Sequence, residues 1–481
     1  MNKTYTIATG NDQTTKAAAE ILDNGGNAYD AILASLFMSF VCEPLLSSPG
    51  GGGYLLAHPK DENAKVFDFF AQTPHDKQQA EKDFYPITGD FGTTQQEFHI
   101  GMAAAAIPGV PAGIFAIHNN YGSMPLIDIA SAAINMATNG MLVDKLHAEV
   151  IQILTPILNH SCHAKSIFSN DNGEFLKKGD LKANKHLARF LTNLANNPMD
   201  WFYCDVPAET IVSDMSHNKG LLTLEDFQSY QVQIRKPLEQ TINGWKIMTN
   251  AAPTTGGLLI SEQLKHAVTN ELDDRNNKFI KAMVHADQLK NQQGFQSSKG
   301  TTHMSVIDTD ENVASLTISN GEGCGYMVPN SGFMLNNFLG EEDINTNGFF
   351  NFEENTRMAS MMSPTILEQL GSNNKIALGT GGSNRIKTAM FQVIWQLISE
   401  NKTLAQAINQ PRLHYENGVL DIEHGFDKHI IAELSGHYEK TNIWQQRSLY
   451  FGGVNAVQHG QTNIAIGDSR RNGVGLVKTI N

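Results

Sequence analysis

The chain has 481 residues, 41% hydrophobic and 17% charged, the balance of a globular protein with material for a large core. Its formal net charge of −14 argues against nucleic acid or an anionic membrane as partner and leaves a small molecule, an amide or peptide in the reading below, as the expected one. Cys42, Cys162, Cys204 and Cys324 are scattered without a C-x-x-C pair and the 17 histidines include no H-E-x-x-H, so neither disulfides, a metal nor another cofactor is expected.

The N-terminal residues 1–8 contain no apolar signal segment, and the longest apolar run, 28–42, is interrupted by Asp30 and too short for a bilayer. A cytoplasmic location without a membrane partner is therefore expected. Residues 13–40 read as two helices broken by Gly25-Gly26-Asn27. Ser47-Ser48-Pro49 and four glycines, 50–53, lead into a strand over 54–57, and a phosphate loop is discounted because no Lys-Ser/Thr and no helix follow. A second strand covers 66–70, helices follow Pro108-Gly109-Val110-Pro111 and cover 126–137, and 140–220 is largely helical. A short strand over 245–248 turns at 252–257 into a helix over 258–268.

The polar run 292–298 reads as an exposed loop that switches abruptly to a strand at Thr301. Met304 and Val306, then Val313, Leu316 and Ile318, flank a turn over 308–312 and predict a hairpin. A hydroxyl residue heading a strand after a flexible glycine suits an N-terminal nucleophile. If the Gly300–Thr301 bond is cut, Thr301 gains an α-amine that titrates near about 8 and can serve as its base. The uncut chain lacks that base and would be a zymogen. Paired threonines also suit an ordinary strand. Further on, strands are predicted over 332–335, 365–367 and 375–378. The last ends in Gly379-Thr380-Gly381-Gly382-Ser383-Asn384 before a helix over 385–398, a turn that suits either an oxyanion or a plain helix cap. From 420 onward short strands surround one helix, and no repeat or linker interrupts the chain.

Several stretches together resemble the γ-glutamyltransferases, members of the N-terminal-nucleophile hydrolases. In order they are Gly25 to Ala31, Glu43-Pro44 with the tetraglycine, Ile107 to Gly113, Leu222 to Phe227, Pro253 to Gly257, Thr301-Thr302-His303, Leu335-Asn336-Asn337, Met362-Ser363-Pro364-Thr365 and Gln410-Pro411-Arg412. The resemblance covers nearly the whole chain. It implies an α/β (α+β) fold, a four-layer αββα sandwich, built as one compact unit from two autoprocessed fragments, 1–300 and 301–481, that stay together as a heterodimer. It makes Thr301 the nucleophile, with Thr302 the alternative if the cut is displaced by one. Ungapped counting along the hairpin puts the family's second hydroxyl at Ser319, with Asn320 as a substrate-side amide. The oxyanion N–H groups fall at Gly382 and Ser383 by the same counting, or at Gly381 and Gly382 if the paired glycines are matched.

The chain departs from the family around the substrate. Phe70 stands where an arginine clamps the glutamyl carboxylate, and a phenylalanine cannot replace a bidentate guanidinium. Phe338 and Glu341 replace residues that hold the α-amino group, Ser360 keeps one of two serines while Met361 replaces the other, and the segment before the cut is shortened. The expectation is an acyl-transferring amidohydrolase working through a Thr301 acyl-enzyme, on a γ-glutamyl or related acyl group. One alternative is an acylase for a more apolar amide held by Phe70, Phe338 and Met361, and another is a γ-glutamyl enzyme whose carboxylate is met by Arg357 or Arg385. A third is a paralogue that no longer turns over.

Overall fold

In a computed structural model, residues 3–78, 81–90, 95–269, 274–293, 300–342, 344–345 and 348–480 are described. A strand begins at Thr301 and runs to Ile307, and the chain turns back through Val313–Ser319 as the alternation predicts, with Thr301 opposite Ser319 and Ile307 opposite Val313. Gly52–His58 pairs on the far side of the second strand, placing Ser319 opposite Gly52. On the other side of the first strand, pairing with Lys3–Thr9 begins only at Ser305. These four strands are the centre of a seven-stranded sheet. Its order is Val474–Ile480, Lys3–Thr9, Thr301–Ile307, Val313–Ser319, Gly52–His58, Lys65–Phe69 and Gln233–Arg235.

Period-two alternation sends the two faces to different layers. Met304, Val306, Leu316 and Ile318 pack beneath the helices Asp12–Asp23 and Ala28–Cys42. Every residue of Ala28–Cys42 is buried, so the long apolar run is a core helix clad on all sides. Gly25, at φ 89, breaks the two helices apart, and Asn27 with Asp30 forms a capping box that starts the second. The opposite strand face carries His303, Ser305, Ser315 and Thr317 towards a second, six-stranded sheet. There Ser315 Oγ donates to the Leu378 carbonyl, and Asn455 Nδ2 to the His303 carbonyl. Helices Gly256–Thr269, Arg275–Gln293 and Arg385–Ile398 share one apolar cluster with that sheet and complete the four layers.

Three sequence expectations are corrected. Residues 332–335 form no strand, because Met334 makes only an isolated bridge to Met327. Gln292 and Gln293, read as loop, end the Arg275–Gln293 helix, and the rest of that polar run, 294–298, lies outside the described residues. The two chain ends, read without strands at Lys3–Thr9 and with only unspecified strands after 420, pair with each other over seven residues in the main sheet.

Candidate active site

Gly300 and Thr301 sit where the main sheet opens towards the second. Ser319 Oγ donates to the Gly300 carbonyl at 2.9 Å, and the Asn320 N–H approaches the same oxygen at 3.4 Å. Thr301 is 1% exposed and Ser319 is fully buried, so these dipoles act in a low-dielectric place where they polarise a carbonyl strongly. Gly300 has φ 59, and a Cβ there would come within 1.7 Å of the Gly321 carbonyl, so only glycine fits before Thr301. The hairpin register thus brings together Thr301, Ser319 and the Asn320 backbone. The Asn320 side chain points elsewhere, Nδ2 reaching the Met334 carbonyl at 3.4 Å.

The glycine turn reaches the same place from the second sheet. Gly381 lies so close to Thr301 that a Cβ would stand 2.0 Å from the Thr301 carbonyl oxygen, whereas Gly382 and Ser383 border the cleft that ends at Gly300. Ser383 holds φ 56, an unfavourable conformation for a residue with a side chain, in keeping with a turn shaped for function. Of the two pairings weighed from sequence, Gly382 with Ser383 is the one on the cleft. Arg471, which sequence reasoning missed, donates from Nη1 to the Thr301 carbonyl at 3.2 Å and from Nε to the Leu449 carbonyl. Burial and the nearby Arg385 lower its pKa to about 10, so it is still cationic near neutrality. Only its place in a basic pair, Arg470-Arg471, offered a signal.

Thr302 turns to the other face of the strand, where its Oγ1 donates to Glu43 Oε1 at 2.8 Å. It therefore does not point where Thr301 points. Burial raises the Glu43 carboxyl to about 7, the Thr302 hydrogen bond opposing the shift. A raised native value means stability that is present below about 4.5 and lost as pH rises through about 7, because the unfolded carboxyl ionises first. Glu43→Gln removes that dependence. The variant is expected to gain on the wild type in thermal denaturation between pH 5 and pH 8, by no more than about 3 kcal/mol. An unchanged difference across that range would mean that Glu43 does not titrate there.

The cleft leading to Gly300 holds about 70 Å³. One wall is aliphatic, with Leu45 and Leu46 facing Val150, Ile153 and Leu154, and Arg385 and Arg471 close the other. The Arg385 guanidinium stacks on Tyr450 at 4.5 Å and donates from Nε to the Tyr450 carbonyl. No carboxylate lies within ion-pair distance of it among the described residues. Arg357 is differently placed, donating to the Phe70 and Gln231 carbonyls and the Tyr230 hydroxyl beside Asp68. Phe70 and Phe338, both fully buried, pack at 4.6 Å with Tyr54 next to Phe70, and Met361 belongs to the same core cluster. None of the three lines the cleft. Glu341 lies against Gly321, while the Ser360 carbonyl and Oγ accept from the Thr255 and Met362 N–H groups. Glu322, unmarked from sequence, lines the cleft and takes the Asn337 amide at 3.4 Å.

A family model described as Gamma-glutamyltranspeptidase matches residues 14–286 and 259–477. The chain is similar to the glutathione hydrolase proenzyme of Escherichia coli, 27% identical with 91% of this chain and 86% of the relative covered. It is 28% identical to the capsule biosynthesis protein CapD proenzyme of Bacillus anthracis, over 98% of this chain and 90% of the relative. Its fold matches a cephalosporin acylase from Bacillus halodurans with a TM-score of 0.83 at 19% identity, over 99% of this chain and 96% of that one. Among the described residues no helix is long and apolar enough to cross a membrane.

Proposed function

The chain belongs to the gamma-glutamyltranspeptidase family, and we propose that it cuts itself before Thr301 and then uses Thr301 to transfer or hydrolyse a carboxylate-bearing acyl group, γ-glutamyl or a close relative. The observation that carries this is the Gly300 carbonyl, joined by its peptide bond to Thr301, held between Ser319 Oγ and the Asn320 N–H. In maturation Thr301 Oγ adds to that carbonyl carbon, the C–N bond breaks, and the released nitrogen takes the hydroxyl proton. Water then cleaves the ester, leaving a Gly300 carboxylate and a free Thr301 amine. The fragments stay together because Lys3–Thr9 lies between Thr301–Ile307 and Val474–Ile480, so separating them means splitting a sheet.

In turnover the amine takes the Thr301 proton as Oγ attacks the donor amide, and passes it to the departing amine as the C–N bond breaks. Water or an acceptor amine releases the acyl group by the reverse route. The Gly382–Ser383 turn faces the negative oxygen formed on the way. Arg385 supplies the cation that Phe70 withholds, ordered by Tyr450 and open to the cleft. The filled aromatic core at Phe70 and Phe338 speaks against an apolar acyl pocket there.

Two measurements test this. After incubation with a γ-glutamyl anilide and an acid quench, intact mass is expected to find fragments 1–300 and 301–481, the second heavier by the acyl group. A wild-type chain that stays whole would overturn the proposal. Arg385→Met is expected to lower kcat/KM for glutaryl and γ-glutamyl anilides by about ten- to a hundredfold while sparing pentanoyl anilide. Equal losses on all three would make Arg385 structural.

A further inference from the structure

The turn that faces the oxyanion presents its N–H groups on planar peptides, and a donor of this kind works only while its peptide is held in one orientation. The Gly382–Ser383 peptide, which carries the Ser383 N–H, is held by the helix it leads into, because the Gly382 carbonyl accepts from the Arg385 N–H at 3.0 Å. The Gly381–Gly382 peptide is held by a side chain. Thr380 Oγ1 donates to the Gly381 carbonyl at 2.8 Å. The C=O and N–H of a trans peptide point opposite ways, so this bond sets the direction of the Gly382 N–H. Gly382 lines the cleft and is the residue common to both oxyanion pairings read from the sequence.

The Thr380 hydroxyl is itself fixed. Its oxygen accepts from the Gly453 N–H at 2.8 Å, which leaves its own proton for the Gly381 carbonyl, a group that can only accept. Thr380 is buried, so solvent does not compete for either bond. Gly452, at φ 80, lets the neighbouring loop come this close, since a Cβ there would stand 2.9 Å from Thr380 Oγ1 and 3.1 Å from the Gly381 carbonyl oxygen. Thr380 has no capping duty that would explain a hydroxyl here. It follows the strand Lys375–Gly379, and the N-cap of the helix Arg385–Ile398 is Asn384. Valine would fill the same space and leave the Gly453 N–H and the Gly381 carbonyl without this partner, whereas serine would keep both bonds.

We infer that Thr380 is a positioning residue for acyl transfer, holding the Gly381–Gly382 peptide so that the Gly382 N–H meets the negative oxygen formed as Thr301 reacts. This rests on the acyl-transfer reading above. Formation and breakdown of the acyl-enzyme both pass through that oxygen, so the hydroxyl acts on kcat and leaves substrate binding alone. Self-cleavage is different, because its carbonyl is that of Gly300, held by Ser319 Oγ and the Asn320 N–H and not by Gly382.

The test compares Thr380→Val, Thr380→Ser and Thr380→Cys with the wild type as full chains. Maturation is followed by intact mass, and kcat and KM for a γ-glutamyl anilide are measured on the processed proteins. Thr380→Val is expected to mature within about threefold of the wild-type rate, to lose about ten- to a hundredfold in kcat and to change KM by less than about twofold. Thr380→Ser should stay within about threefold of the wild type in all three quantities, because both hydrogen bonds survive. Thr380→Cys, whose thiol is a weak donor, should fall between them. Wild-type kcat in Thr380→Val, an equal loss in Thr380→Ser, or a parallel fall of maturation and kcat would overturn the inference. If Thr380→Val does not fold, Thr380→Cys against Thr380→Ser makes the same comparison, and failure of both Thr380→Val and Thr380→Cys to fold would make the hydroxyl structural and overturn it as well. A wild type that matures but hydrolyses no anilide would instead sink the acyl-transfer reading itself, and this inference with it.

Discussion

Thr301→Ala is expected to remain one 481-residue chain under conditions in which the wild type separates into two fragments, and to show no acyl transfer above background. The fall in kcat/KM should be about ten-thousandfold or more, because nucleophile, and with it the newly freed base, are lost together. The substitution removes few atoms from a fully enclosed strand position, so Thr301→Ala should still fold and give an unfolding midpoint close to that of the uncut wild type. Thr301→Ser, which keeps the hydroxyl, should mature. Thr302→Ala should mature as well, because Thr302 faces Glu43 on the other side of the strand. Intact mass and anilide hydrolysis on the four proteins decide it. Cleavage in Thr301→Ala, or its loss only in Thr302→Ala, would move the nucleophile and refute the assignment.

Much of this site was legible because it is local in sequence. Ungapped counting along the hairpin selects Ser319 as the second hydroxyl, and in the sheet register Ser319 stands opposite Thr301. The glycine turn after Lys375–Gly379 was legible because strand, glycines and helix follow one another directly. What could not be read was contact between distant segments. Arg471 reaches Thr301 only because a late loop folds back over the site, a separation of 170 residues. Glu43 stands in a motif with Pro44, but its bond to Thr302 spans 259 residues.

The substrate shell divides in the same way. The replacement of an arginine by Phe70 was visible, and so was its consequence for a carboxylate. Whether Phe70 and Phe338 make a pocket or fill one depends on packing, which the sequence does not encode position by position. Here they fill it, ring against ring. Arg385 and Arg357 stood equal as substitutes in sequence. Geometry separates them, since Arg357 is held by carbonyls and Tyr230 around Phe70 while Arg385 borders the cleft.

The second large effect lies behind Arg471. Asp468 is fully buried, and its Oδ2 accepts from Arg412 Nη2 at 2.6 Å, from Arg470 Nη1 and from the Val454 N–H. Its Oδ1 accepts from the Arg470 N–H and so starts the short turn Ser469–Arg471. Glu423 pairs with the outer edge of Arg470 at 2.6 Å. Two buried arginines thus share two buried carboxylates, and removing one carboxylate leaves Arg412 with carbonyl partners only, those of Phe451 and Ile408. Breaking a buried pair from one side costs on the order of 3–5 kcal/mol, a large part of a stability of about 5–15 kcal/mol. Asp468→Ala is therefore expected to lose about that much in denaturant titration. It should also mature slowly, because the turn that aims Arg471 at the Thr301 carbonyl loses its start. Asp468→Asn keeps the shape without the charge and should fall between. The two arginines hold the Asp468 carboxyl below its ordinary value against the opposing effect of burial, so its contribution is present above about pH 4 and disappears as pH falls through the lowered native value. The wild type and Asp468→Ala should converge in stability at acid pH. A loss below about 1 kcal/mol near neutrality, with normal maturation, would show that the network neither holds the fold nor aims Arg471.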